Sequence, residues 1–201
     1  GWWAVASEDF EAEANGRLSL IPKNAIVRYR EWYGAASANK GLKLDAEKVA
    51  DGIVDRTEEK IDYSVADPAI FAADGGPSIG ERMADRGVVF GRADNRRVGE
   101  VGHGIGWDQV RARFVGAERP MMYAFATCTD FIRTMPSLQH DERRPEDLNT
   151  EGEDHIADEV RYACASRPYT RDLPKPAADV IAAASRAPTF DQLMKNRRRR
   201  A

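Results

Sequence analysis

Residues 152–163, GEDHIADEVRYA, crowd Glu153, Asp154, His155 and Asp158 into six positions. On a helix, Asp154 and Asp158 stand at i,i+4 and His155 and Asp158 at i,i+3. These side chains then leave neighbouring turns of one face, with Cβ atoms about 5–6 Å apart. Like charges at that spacing destabilise a helix unless something positive sits among them. Carboxylates with one imidazole suit Mg²⁺ or Mn²⁺. A structural zinc site calls for more Cys or His than this chain carries. The bland alternative is a solvated helix face of mixed charge. Thr150, three residues before Glu153, fits a capping box and gives Glu153 a role at the helix start. Asp154, His155 and Asp158 remain as candidate metal ligands.

A further acid, Asp67 in YSVADPA, ends a short apolar strand just before Pro68. Ligand sites in α/β sheets gather at the carboxyl ends of strands, although an Asp-Pro pair also starts turns. A strand-end aspartate and a distant acidic helix face are one way for a fold to collect two divalent ions. Such ions, about 3.5–4 Å apart, activate a water and stabilise the leaving oxygen of a phosphodiester. Arg92, Arg96 and Arg97 in GRADNRRVG, with Arg111 and Arg113 beyond them, are candidate phosphate contacts; exposed solvating arginines are the plain alternative. Phosphate contacts would be sequence-independent and salt-sensitive. Arg143 and Arg144 either contact phosphate or pair with Asp141 and Glu142. His103, in the glycine-rich VGHGIGW, and His140 read as structural residues, and Trp2, Trp3 and Trp32 as core residues on strands.

The elements that must position these groups read as follows. GWWAVAS begins as a strand already under way, as though the chain were a fragment. Asn15-Gly16 is a strong turn signal in a polar stretch. LSLIP and AIVRYREWYGA then give two more strands, for an antiparallel meander of three. Helical spacing of Leu44, Val49, Ile53 and Val54 predicts a helix within 44–60. IDYSVADP is a strand stopped by Pro68, which has no amide donor for a ladder. PSIGERMADRG is a helix with Pro77 at its start and Gly87 at its end. VVF and PMMYAFATC are strand-like, whereas WDQVRARFV and DHIADEVRYACAS are helical. The layout is α/β: a mixed sheet whose first three strands are antiparallel, with helices on its faces.

The 201 residues are 42% hydrophobic and 31% charged, which suits one globular domain. No run of about eighteen apolar residues could span a membrane, and no basic-apolar-small pattern at the start marks a secretory signal. Cys128 and Cys164 read as buried free thiols in a reduced cytosolic setting. The net charge is −3, although the closing KNRRRR carries five positive groups, so the body is acidic. An acidic body still admits a nucleic-acid partner where a divalent cation inverts the local field. Prolines after Ser166 predict a domain over 1–168 and a linker with a basic tail over 169–201. The tail reads as a solvated terminus or as a segment that docks on a partner or DNA.

Several stretches in consistent order resemble the C-terminal nuclease domain of the large terminase subunit of tailed bacteriophages. They are IVRYREWYG, GLKLDAEKVADGI, YSVADPAIF, GPSIGERM, ADNRRVG and, most specifically, LQHDERRPEDLNTEGEDHIADEVRY. The resemblance covers roughly residues 1–168. It implies an RNase H-like fold and a Mg²⁺- or Mn²⁺-dependent endonuclease that cuts concatemeric double-stranded DNA during packaging, in the cytoplasm of an infected bacterium. Asp67 would correspond to the second catalytic acid. His155 and Asp158 would form the third-acid cluster, with Asp154 adjoining; His155 would ligate metal or orient a water, and Asp154 would ligate or act behind the ligands. The portal and the small terminase subunit would be partners. The family's first catalytic aspartate lies upstream of the segment matching GWWAV, so weak metal binding and poor cutting are expected of this chain. No G-x-x-x-x-G-K-[ST] phosphate loop occurs. Another RNase H-like phosphodiesterase, of resolvase or transposase type, and a non-catalytic docking module are the alternative readings.

Overall fold

The computed structural model describes residues 1–14, 16–37, 40–98 and 105–170. His103 and the tail from residue 171 onward lie outside the described residues. The strands β1 (Trp2–Val5), β2 (Phe10–Ala14), β3 (Arg17–Ile21) and β4 (Ile26–Arg30) come first, followed by the short pair β5 (Ala35–Ser37) and β6 (Lys40–Gly41). Then come α1 (Ala46–Val54), β7 (Val65–Ala66), α2 (Ile79–Ala84), β8 (Gly91–Arg92), α3 (Trp107–Val115), β9 (Met122–Ala124), α4 (Thr129–Thr134) and α5 (His155–Ser166). The architecture is mixed α/β. β4 lies between β1 and β9, antiparallel to the first and parallel to the second. β7 and β8 form a separate parallel pair.

The opening segment differs from a three-strand meander. The polar stretch holds a strand of its own, β2, which pairs with β3, so β1 meets β4 directly. Pairing runs in one register through Trp3 with Arg28, Val5 with Ile26, Phe10 with Ile21 and Ala14 with Arg17. Between the two ladders the Ala6 N–H donates to the Ala25 carbonyl at 2.9 Å. The four strands are therefore one long hairpin, with Gly16, whose φ is +71°, just before β3 on its return. The cause is visible in the residues: Phe10, Ala12 and Ala14 alternate with Glu11 and Glu13, the period of a strand.

Three apolar clusters hold the fold. Ile26 and Met122 of the sheet pack with Val110, Phe131, Ile156, Val160, Cys128 and Cys164, so α3, α4 and α5 share one core with β4 and β9. Ala6, Ile21, Ala25, Val27 and Met121 cover the other side, where Tyr169 also packs. Ala46, Ala50, Met83 and Val88 join α1 to α2. Both cysteines are buried and free.

Local chemistry fixes the helix starts. Asp45 accepts from the Lys48 N–H at 2.9 Å. Ser78 and Glu81 form a reciprocal capping box, with the Ser78 N–H donating to Glu81 at 2.7 Å and the Glu81 N–H to Ser78 at 3.2 Å. α4 is capped from a distance, because Glu31 accepts from the backbone N–H groups of Asp130 and Phe131 at 2.7 and 3.1 Å. Glu31 also faces the buried Arg28 at 3.4 Å. Arg28 in turn pairs with Glu159 of α5, which accepts from the Trp3 indole at 2.7 Å. A charged network thus ties β1, β4, α4 and α5 together.

Candidate functional site

Asp67 stands at the end of β7, as its place before Pro68 requires. Its Oδ1 accepts from the Ala69 N–H at 2.7 Å and caps a single 3₁₀ turn over Pro68–Phe71. The turn reading of Asp67-Pro68 is thus realised in the fold. The Tyr162 hydroxyl, from α5, donates to Asp67 Oδ2. That bond, then the Ala69 N–H, outweigh burial and hold the Asp67 carboxyl below its ordinary range, with Arg161 contributing. Burial, reinforced by the bond to Asp67, pushes the Tyr162 phenol up to about 12.

Asp158 lies one turn before Tyr162 on α5, and Asp158 adds to the field at that phenol. The strand-end acid and the helix acid therefore reach the same stretch of α5, joined through Tyr162 and Arg161. The positive charge among the acids is arginine. Arg161, 2% exposed, donates to Asp158 Oδ1 at 2.8 and 3.3 Å and to the Arg96 carbonyl at 3.0 Å. Its guanidinium also lies over the rings of Trp107 and Tyr162, at 5.4 and 4.6 Å from their centroids. Arg97 approaches Asp158 Oδ1 at 3.7 Å and donates to Asp147 at 2.8 Å. Burial works against the Arg97 charge, yet Asp147, Asp158 and Asp154 together hold its pKa above the usual arginine value. Asp147 is itself buried, and Arg97 and the Trp107 indole, at 2.9 Å, keep its carboxyl low despite that burial.

Two parts of the α5 reading are corrected. Glu153 does not close a capping box with Thr150; it accepts from Arg133 at 2.5 Å and from Tyr33 at 3.2 Å. α5 begins at His155 after Asp154 and has no side-chain cap. A cation within reach, Arg133, offers Glu153 a stronger partner than a neutral backbone amide. His155 is 72% exposed and turns its Nδ1 to Asp154 at 3.6 Å.

The arginines divide by environment. Arg96 pairs with Asp94 at 2.9 Å, and Arg92 lies 4.7 Å from the centre of the Phe71 ring. Arg111 pairs with Asp108 at 3.3 Å. Arg113 is not available to phosphate: it is 3% exposed and donates to the carbonyls of Asn24 and Met121 at 3.2 Å. The backbone N–H groups of Arg143 and Arg144 close an Asp141 turn at 2.9 and 2.8 Å; both residues are exposed, and the Arg144 guanidinium lies 3.9 Å from an Asp147 carboxylate oxygen.

The donor set does not close around a divalent ion. Asp67 has both oxygens in hydrogen bonds, and Asp158 commits Oδ1 to two guanidinium groups. Among the described residues no three or more Asp, Glu, His or Cys side chains stand together as a metal group. Sequence reasoning did not single out Arg161, Tyr162, Asp147 or Trp107. The signal for the first two was present, since Arg161 and Tyr162 follow Asp158 at i+3 and i+4 on the same helix face. Comparison with known protein families, with curated proteins and with solved structures gives no match.

Proposed function

We propose that this chain is a terminase-type nuclease domain with an RNase H-like arrangement of its sheet, acting on the phosphodiester bonds of double-stranded DNA during phage packaging. The convergence of Asp67 and Asp158 on one stretch of α5 carries the reading, because these are the two acids that the resemblance pairs. DNA would be held by sequence-independent contacts from the exposed Arg92, Arg143 and Arg144, with Arg97 at the acids themselves. The portal and the small terminase subunit are the partners that go with this reading, and the host cytoplasm its setting. Mg²⁺ or Mn²⁺ would have to bind with a further carboxylate and with the Arg161 and Tyr162 contacts rearranged, so no hydrolytic step is assigned through the ion. The neutralisation of Asp158 by two arginines favours a second reading, a DNA- or portal-docking module without cleavage.

Supercoiled plasmid nicking with Mn²⁺, run beside thermal unfolding with and without Mn²⁺, separates the two. Nicking that is lost in Asp67→Asn and Asp158→Asn, with a metal-dependent rise in Tm lost in the same variants, is the nuclease result. DNA retention with no nicking and no Mn²⁺-dependent change in Tm refutes it and leaves docking.

A further inference from the structure

Asp158 Oδ1 faces two guanidinium groups, and the two are held in unlike ways. Arg161 is 2% exposed and fixed at several points: Asp158 itself, the Arg96 carbonyl at 3.0 Å, and the faces of Trp107 and Tyr162. Arg97 is the looser of the two. Its side chain is 26% exposed, and its Nη1 stands 3.7 Å from Asp158 Oδ1, beyond hydrogen-bond distance. Its firm partners lie elsewhere. Nε donates to Asp147 Oδ1 at 2.8 Å, and Nη2 reaches the Leu148 carbonyl at 3.4 Å. The backbone beneath this side chain is pinned. The Trp107 N–H donates to the Arg97 carbonyl at 2.9 Å. Gly106, at φ +61°, approaches so closely that a Cβ there would stand 1.9 Å from the same oxygen. Movement is thus left to the end of the side chain. Asp147, only 7% exposed, also accepts from the Trp107 indole at 2.9 Å and the Leu148 N–H at 2.8 Å. A buried carboxylate so placed would be stranded if Arg97 left it, so the arginine stays.

We propose that Arg97 is a built-in counter-ion of Asp158, displaced by an arriving divalent cation while Asp147 retains the guanidinium. This role rests on the reading of Asp158 as a ligand for a divalent ion. It accounts for a donor set that does not close, because the chain itself supplies the second positive charge at Asp158. An ion that takes Asp158 costs Arg97 only its longest contact, since Nε and Nη2 keep theirs. A ligand shifts such a balance only by its differential affinity for the two states. A monovalent ion brings no more charge than the guanidinium it replaces, so the exchange selects for divalent ions. Arg161, with more contacts to lose, is the last to give way.

Mn²⁺ binding to the full chain, without DNA, is read from the electron paramagnetic resonance of the free ion. Arg97→Gln should tighten binding about fivefold, the scale of one partly exposed charge contact. Arg96→Gln deletes the same charge one residue away, from an exposed side chain paired with Asp94. Its affinity should stay within about twofold of the unaltered chain, because exposed charge is screened. Adding Asp158→Asn to Arg97→Gln should abolish the gain. On unaltered protein, Mg²⁺ should shift the Arg97 Nη signals in nuclear magnetic resonance yet leave Nε–H protected on Asp147. No gain in Arg97→Gln, an equal gain in Arg96→Gln, or a gain that survives Asp158→Asn overturns the proposal. So does an Nη signal that Mg²⁺ does not move, or loss of Nε–H protection. A gain in Mn²⁺ affinity without plasmid nicking refutes the cutting reading alone, and nicking without that gain refutes the displacement alone.

Discussion

Replacing Arg161 with methionine keeps an unbranched side chain of similar reach while deleting its charge. Arg161 is nearly solvent-free, makes two contacts with Asp158 Oδ1 and donates to the Arg96 carbonyl at 3.0 Å. Loss of a charge-assisted bond costs about 1.5–3 kcal/mol, and the deserted carbonyl about 1–3 kcal/mol. The first term lies at its lower end, because the Asp158 side chain is 29% exposed and water can take up part of its charge. Arg97 stays within 3.7 Å of the same oxygen and compensates further. The expected loss is about 3 kcal/mol, a large share of the roughly 5–15 kcal/mol that holds a domain folded. Urea unfolding followed by tryptophan fluorescence should show a lower midpoint at unchanged m-value. In a double-mutant cycle with Asp158→Asn, a coupling of about 1–2 kcal/mol is expected, since removing both partners no longer strands the carboxylate. A loss below about 1 kcal/mol, or strict additivity in the cycle, would refute the account of Arg161 as the cation holding the acids in place.

Tyr162→Phe should raise the Asp67 pKa in a carbon-13 carboxyl titration, because the phenol is the first cause of its depression. A carboxyl depressed by folding stabilises fully above its unfolded value of about 3.9 and loses that contribution as pH falls through the folded value. The variant should therefore cost more stability near pH 7 than near pH 2, and equal costs at both would contradict the assignment. Ser78→Ala breaks the capping box of α2 and should cost about 1 kcal/mol in thermal or urea unfolding; a neutral result would mean that the box adds nothing to the fold. Cys164, whose thiol burial pushes up to about 12, should react with a thiol reagent only on the unfolding timescale. Rapid labelling of native protein at neutral pH would show that the α5 core opens locally.

Helices whose apolar residues repeat strongly were legible: α3 fills the WDQVRARFV stretch, and α1 lies inside 44–60. The helix between Thr129 and Thr134 was not, since its start is capped by Glu31, about a hundred positions away, and no local signal announces such a partner. Strand β2 was hidden by its glutamates, because charge drew attention from the period-two pattern. VVF read as strand, yet the pairing falls on Gly91–Arg92, where backbone geometry rather than side-chain type decides. At the candidate site, the place of Asp67 at a strand end and of Asp158 in the first turn of a helix was readable from position and spacing. Arg161 at i+3 of Asp158 was readable on the helix, but the second cation was not, because Arg97 meets Asp158 only after the chain has folded back over some sixty residues. Arg113 shows the same limit: a phosphate-type arginine by sequence is a buried anchor for three carbonyls in space.

The long opening hairpin acts as a ruler laid from its tip to the core. Because every partner from Ala14 to Trp3 counts outward from the Gly16 bend, a single residue inserted there cannot be absorbed locally without a bulge. A slip of the pairing by one residue would instead rotate Ile26 and Val27 onto each other's sides of the sheet and exchange the linings of two separate apolar clusters. The length of the bend is thus tied to the buried interior through the pairing register, and variation in it is confined accordingly.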